Sequence, residues 1–181
     1  LAYVGSKPIA NRDSASWYTP AKYIESARTV LDGIGFDPFS SVEANKVVKA
    51  ESFYTIKEDC FKTEWPLVNS CWMNPPYGIG ICGQSADRFI EQFEAGRFKR
   101  GIVLTNNATD TKWFNALADK AVAMCFTDHR ISFWNADGKA QSGNTRGQAF
   151  FYFDSESNSA KAFAEEFGQH GFVVKLMRGA K

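Results

Sequence analysis

A chain of 181 residues with 44% hydrophobic and 23% charged side chains carries enough apolar material for a packed core, which excludes a largely disordered protein and makes disulfide or metal staples unnecessary. Lys plus Arg number 21 and Asp plus Glu 20, a formal charge of +1, so a general basic coat is excluded and any nucleic-acid contact has to come from a local patch. Phe, Tyr and Trp together reach 15%, which suits a Phe-rich core and also rings that stack on a flat ligand.

Residues 1–15, with Gly5, Pro8, Asn11 and Asp13 among them, read as a flexible lead-in to a domain over 16–181. No Met precedes Leu1, so a trimmed or incomplete chain is expected, and the opening residues lack a secretory apolar segment. Thr19 before Pro20 predicts an N-cap and a first helical residue. Tyr23, Ala27, Val30 and Leu31 at helical spacing predict a helix over 20–32, stopped by Gly33. A strand over 34–37, a short helix over 42–50 and a strand over 52–55 follow. Cys71-Trp72-Met73 reads as a buried strand running straight into Asn74-Pro75-Pro76-Tyr77. Beyond it come a helix over 84–95, a strand over 101–105, a helix over 110–120, strands over 121–126, 131–134 and 149–153, a helix over 159–167 and a strand over 172–176. Strands alternating with helices predict an α/β protein with a mostly parallel sheet. The closing strand pairs, with no long helix between them, predict an antiparallel addition to its edge. Ligands in such sheets bind at the carboxyl ends of strands, here after Phe36, Thr55, Met73 and Leu104.

Cys60, Cys71, Cys82 and Cys125 show no C-x-x-C spacing, and His129 and His170 stand far apart, so the cysteines read as free thiols in a reducing cytosol and no metal site is expected. No apolar run is long enough to span a bilayer, and a cytoplasmic location is expected. Arg97, Lys99 and Arg100 read as a charge complement to the preceding helix C-terminus.

Asn74-Pro75-Pro76-Tyr77 carries the chemistry. Two prolines fix two φ angles and remove two N–H donors, and Pro75 pushes Asn74 out of helical geometry. The result is a rigid bend at a strand end. It presents an amide, donor-free carbonyls and an aromatic ring. The Asn74 oxygen and a carbonyl can accept both hydrogens of an exocyclic amine while the Tyr77 ring stacks on the flat group that bears it. Such a bend suits an aminopurine or aminopyrimidine. It does not suit a phosphate, which wants donors. The same tetrapeptide in another setting is a plain Pro-Pro turn, and its position after a buried strand favours the chemical reading.

A strand ending in NPPY is the signature of amino-methyltransferases that use S-adenosylmethionine. Trp17-Tyr18-Thr19-Pro20, Phe36-Asp37-Pro38 with Ser40-Ser41 and Asn45, Trp72 to Gly78, Asn106 to Phe114, Arg130-Ile131-Ser132-Phe133 and Gly147 to Phe151 together resemble the phage-type DNA N6-adenine methyltransferase (Dam-like) family over residues 16–176. The resemblance implies a single α/β domain with a Rossmann-like methyltransferase sheet, helices on both faces, S-adenosylmethionine as cofactor and double-stranded DNA as partner. It also implies a phage or bacterial-host setting and a link to restriction–modification. Tyr18, Thr19 and Pro20 would pack beside the cofactor. Asp37, Pro38, Ser40 and Asn45 would hold its methionine part, and Asp59 would accept from its adenine amine. Asn74, Pro75, Pro76 and Tyr77 would be catalytic. Tyr77, with Phe39 or Trp113, would stack on a base turned out of the duplex. Arg130 reads as a phosphate contact or a solvated partner of His129, and Arg146 as a DNA contact or part of an ordinary hairpin loop over 135–148.

The usual G-x-G turn is replaced here by Pro-Phe-Ser-Ser, and Glu43 and Glu51 are both candidates for the ribose-binding acid or plain surface groups. NPPY chemistry alone also admits cytosine N4, RNA or a glutamine side chain as acceptor, and a non-catalytic binding module on the same fold. The chain is short for an enzyme of this sort with a large target-recognition domain, and none is expected. Target recognition then falls to loops, to residues 78–88, to a partner subunit or to a homo-oligomer.

Overall fold

The computed structural model describes residues 18–78, 80–134, 139–140, 144–157 and 159–175. The expected lead-in over 1–15 and half of the loop over 135–148 lie outside them. In chain order the elements are α1 (Ala21–Leu31), β1 (Phe36–Asp37), α2 (Val42–Val48), β2 (Ser52–Phe53), β3 (Ser70–Met73), α3 (Ile81–Glu94), β4 (Arg100–Asn106), α4 (Lys112–Lys120), β5 (Ala123–Thr127), β6 (Gln148–Asp154), α5 (Lys161–Phe167) and β7 (Gly171–Lys175).

The strands form one sheet in the order β2-β1-β3-β4-β6-β5-β7. β2, β1, β3 and β4 pair in parallel, whereas β6 is antiparallel to both β4 and β5, and β7 is antiparallel to β5. Side-chain alternation sorts the core into two layers. Trp72, Ile102, Leu104, Phe150 and Tyr152 face α1 and α5 through Tyr23, Ile24, Leu31, Phe163 and Phe167. Cys71, Met73, Val103, Phe151 and Phe153 face α3 and α4 through Ala86, Phe89, Phe114 and Leu117. Both faces are therefore covered by helices. This explains why β3 and β4 read as apolar runs with no polar alternation. Cys60, Cys71 and Cys125 are buried, and Cys82 is partly exposed.

Gly101 sits where β4 passes under a cluster of phenylalanines. A Cβ there would lie 2.6 Å from Phe89 Cζ and 3.0 Å from Phe98 Cε2. Phe89 cannot retreat, because its ring packs at 4.9 Å from those of both Phe98 and Phe153. Gly101→Ala is expected to destabilise the fold by about 1–3 kcal/mol through overpacking, read as a lower urea midpoint with an unchanged slope.

Several expectations need correction. Thr19 does not cap α1: Pro20 occupies the N-cap position without a side-chain hydrogen bond, because the Thr19 hydroxyl accepts from Asn74 instead. Residues 131–134 do not form a strand. The Ile131 amide donates to Gln148 Oε1 at 3.2 Å and its carbonyl accepts from Asn144 Nδ2 at 3.1 Å. Side chains thus hold the groups a ladder would need, and only Trp134 forms bridges, to Tyr18 and Ala140. The antiparallel part is not confined to the edge, since β6 lies between β4 and β5 and is buried at six of its seven residues. The basic cluster braces loops. Arg97 pairs with Glu64 and donates to the Trp65 carbonyl, and Lys99 pairs with Glu156. His129 is not a simple solvated group, because Tyr23 and Asp128 bind its two ring nitrogens at 2.6 and 2.5 Å.

Candidate active site

The carboxyl ends of β1 and β3 lie side by side where the strand order reverses, the place where α/β sheets bind ligands. A cavity of about 350 Å³ opens there. Asp37 from the end of β1 and Asn74 from just beyond β3 both line it, together with Tyr18, Thr19, Phe39, Ser40, Pro75, Pro76 and Tyr77.

The prolines hold Asn74 half-buried at the mouth of the bend. Its Nδ2 donates to Thr19 Oγ1 at 3.0 Å and its Oδ1 accepts from the Tyr77 hydroxyl at 2.9 Å. The amide is thus held at both ends. The Tyr77 ring sits edge-on to Phe133 at 6.0 Å. Burial around its hydroxyl raises its pKa well above the ordinary tyrosine value, although the residue as a whole is only half-buried. The hydroxyl therefore remains a neutral donor.

Asp37 is 3% exposed. Burial pushes its carboxyl up to about 7, only partly countered by the Phe39 amide, which donates to Oδ1 at 3.0 Å. No lysine or arginine among the described residues counters it. The Ser40 hydroxyl lies near enough to lower that pKa somewhat, yet it makes no hydrogen bond of sound geometry and its Oγ is buried without a partner. A buried carboxyl that no cation meets, beside an unpartnered hydroxyl, is a pair that a polar, cationic ligand would satisfy.

Other candidates lie apart from the lining. Pro38 is buried in the turn between Asp37 and Phe39, and Pro20 stands at the N-cap of α1 next to the lining residue Thr19. The Asn45 amide braces the end of α2, donating to the Ala50 carbonyl and accepting from the Ala50 amide. Asp59 sits in a left-handed turn with φ 47°, accepts from the Phe61 amide and pairs with Lys62 at 3.0 Å. It is one ring away from the cavity, since Phe61 packs edge-on to the lining ring of Phe39 at 5.5 Å. Trp113 packs beside Phe114 on α4. Arg130 is exposed and lies with Asn107 over Gly147, leaving no space for a Cβ there. Arg146 is exposed, and its carbonyl accepts from Gln148 at 2.9 Å.

The lining also includes Trp72 and Gly78, the two ends of the motif around the prolines, and residues that no motif marked: Ala44, Val47 and Val48 of α2, and Ile81. Ala44, Val47 and Val48 stand at i, i+3 and i+4, a helical face whose spacing was the available signal. Ser41 lines the cavity as well, and its hydroxyl caps α2 by accepting from the Ala44 amide at 3.0 Å.

The model of the DNA N-6-adenine-methyltransferase (Dam) family matches residues 6–167. The chain belongs to that family. No curated protein matches it. Membership in the Dam family makes DNA adenine N6-methylation the activity and DNA the substrate class to which the cavity has to answer. Among the described residues of this Dam-family chain, no helix is long and apolar enough to cross a membrane.

Proposed function

We infer that the chain is an S-adenosylmethionine-dependent DNA adenine N6-methyltransferase, built on a Rossmann-like sheet, that acts on an adenine turned out of the duplex. The observation that supports this most is Asn74, held by Thr19 and Tyr77 at the strand end beside the uncompensated Asp37. When bound, S-adenosylmethionine supplies an electrophilic methyl group on a positively charged sulfur. Asp37 and the Ser40 hydroxyl fit the polar, cationic end of such a molecule, and the apolar α2 face of Ala44, Val47 and Val48 would pack against the remainder.

The adenine amine is a poor nucleophile because its lone pair is delocalised into the ring. Asn74 Oδ1 and the Pro75 carbonyl would each accept one of its hydrogens. This draws the nitrogen toward tetrahedral geometry and localises the lone pair. As the amine attacks, it gains positive charge, and acceptors already aimed at the nitrogen stabilise that charge. Holding amine and methyl in line supplies much of the remaining rate. Turning the base out costs a few kcal/mol, which stacking on Tyr77 offsets by about 1–3 kcal/mol.

The test incubates purified protein with isotopically labelled S-adenosylmethionine and unmethylated duplex DNA, then digests the DNA to nucleosides for mass spectrometry. N6-methyladenosine in its deoxy form is the expected product. N4-methylcytosine, or transfer only to RNA or protein, would overturn the substrate assignment. Tyr77→Ala is expected to raise the KM for DNA by about 10- to 100-fold, the loss of one base-stacking contact, with a much smaller change in cofactor affinity. Equal losses in both would remove the stacking role.

A further inference from the structure

Thr19 departs from its local role in a specific way. A threonine before a helix ordinarily caps it by accepting from a backbone amide. Here the side chain makes no cap bond to α1. Its hydroxyl, on a residue only 8% exposed, accepts from Asn74 Nδ2 at 3.0 Å across 55 positions of sequence. The segment is held for this from both sides. The Tyr18 amide donates to the Trp134 carbonyl at 2.8 Å and the Trp134 amide returns to the Tyr18 carbonyl at 2.9 Å. Downstream, the Tyr23 hydroxyl is fastened to His129.

We propose that Thr19 is a positioning residue that fixes the plane of the Asn74 amide, and with it the position of Oδ1, for the substrate amine. The inference rests on the methyl-transfer reading above and assigns to it a residue outside the tetrapeptide. The last torsion of an asparagine side chain is broad, and an amide that swings about it carries its oxygen away from the amine it has to accept from. Two contacts hold the amide plane, one from Tyr77 and one from Thr19. Tyr77 is also the ring assigned to the base. Thr19 is the second hold, and its neighbour Tyr18 is paired through its backbone with Trp134, which lies outside the cavity lining. A preorganised acceptor of this kind lowers the barrier because nothing has to turn as charge develops.

Thr19→Val keeps the shape and removes the acceptor, whereas Thr19→Ser keeps the hydroxyl. The expected result for Thr19→Val is a kcat lower by about 10- to 100-fold, with the KM for DNA and the cofactor Kd little changed, and recovery of kcat in Thr19→Ser. A second readout needs no turnover. The side-chain amide signals of Asn74 in a ¹⁵N-labelled protein, identified by their loss in Asn74→Asp, are expected to move in Thr19→Val and to stay in place in Thr19→Ser. Asn74 signals that do not move, or a loss confined to cofactor affinity with kcat intact at saturation, would overturn the proposal. Signals that move in Thr19→Val, while the wild-type protein transfers no methyl to DNA, would support the contact and remove only the reaction assigned to the site.

Discussion

Asn74→Ala is expected to lower methyl transfer to DNA adenine by about a thousandfold or more, the scale on which preorganised polar groups act on developing charge. The substitution removes one of two acceptors for the amine and frees both Thr19 and Tyr77 from their partner. It leaves untouched Asp37, Ser40 and the α2 face that would hold the cofactor. Calorimetry on the variant should therefore give a cofactor Kd close to that of the wild type. Asn74 lies after the last residue of β3 and is only half-buried, so truncation there opens no core cavity. A variant that keeps most of its turnover would end the acceptor mechanism. A variant that loses cofactor affinity in proportion would place Asn74 in the cofactor wall instead.

Asp37→Asn is expected to act in opposite directions on stability and on binding. The buried carboxyl titrates at about 7 in the folded chain against 3.8 for an ordinary aspartate. Between those values the folded state holds more protons than the unfolded one, so stability rises as pH falls. The ligand-free protein should gain up to about 4 kcal/mol from this group between pH 8 and pH 4. Asn carries no charge to desolvate. Asp37→Asn should thus raise the melting temperature at pH 8 and flatten its pH dependence. Binding runs the other way. A cationic ligand meets its complement only when Asp37 is ionised, so cofactor affinity should rise with pH through about 7, and binding below that pH should release a proton. The release is measured by calorimetry in buffers of different ionisation enthalpy. A wild-type cofactor Kd that does not change between pH 6 and pH 8 would remove Asp37 from the charged part of the site.

Legibility differed from element to element for physical reasons. The bend at Asn74 could be read because its causes are local: an apolar run ends, and two prolines follow it directly. The helix over 20–32 could be read because its buried residues recur at one spacing, and it differs by one residue at each end from the observed Ala21–Leu31. The Ile131–Trp134 segment has the composition of a strand, yet the backbone partners of Ile131 are the side chains of Gln148 and Asn144. Those lie beyond any local window. The cavity face of α2 stayed hidden because the helix has only seven residues and Val48 is its one buried side chain. Thr19 was legible as a cap and the structure uses its hydroxyl elsewhere. No local pattern distinguishes a threonine that bonds its own helix from one that bonds a residue 55 positions away.

The place of β6 has a consequence for how the chain assembles. β4 pairs with a strand about fifty residues later, Arg100 against Asp154 and Asn106 against Gln148, and β5 reaches the sheet only through that same strand. During synthesis the segment that holds both β1 and β3 emerges first, and the flank of β4 stays unpaired until residue 154 has been made. High sequence separation of this kind slows folding and lengthens the exposure of an unpaired strand edge. Substitutions in β6, far from Asn74 in sequence, are therefore the ones expected to reduce the yield of protein able to close the cavity at all.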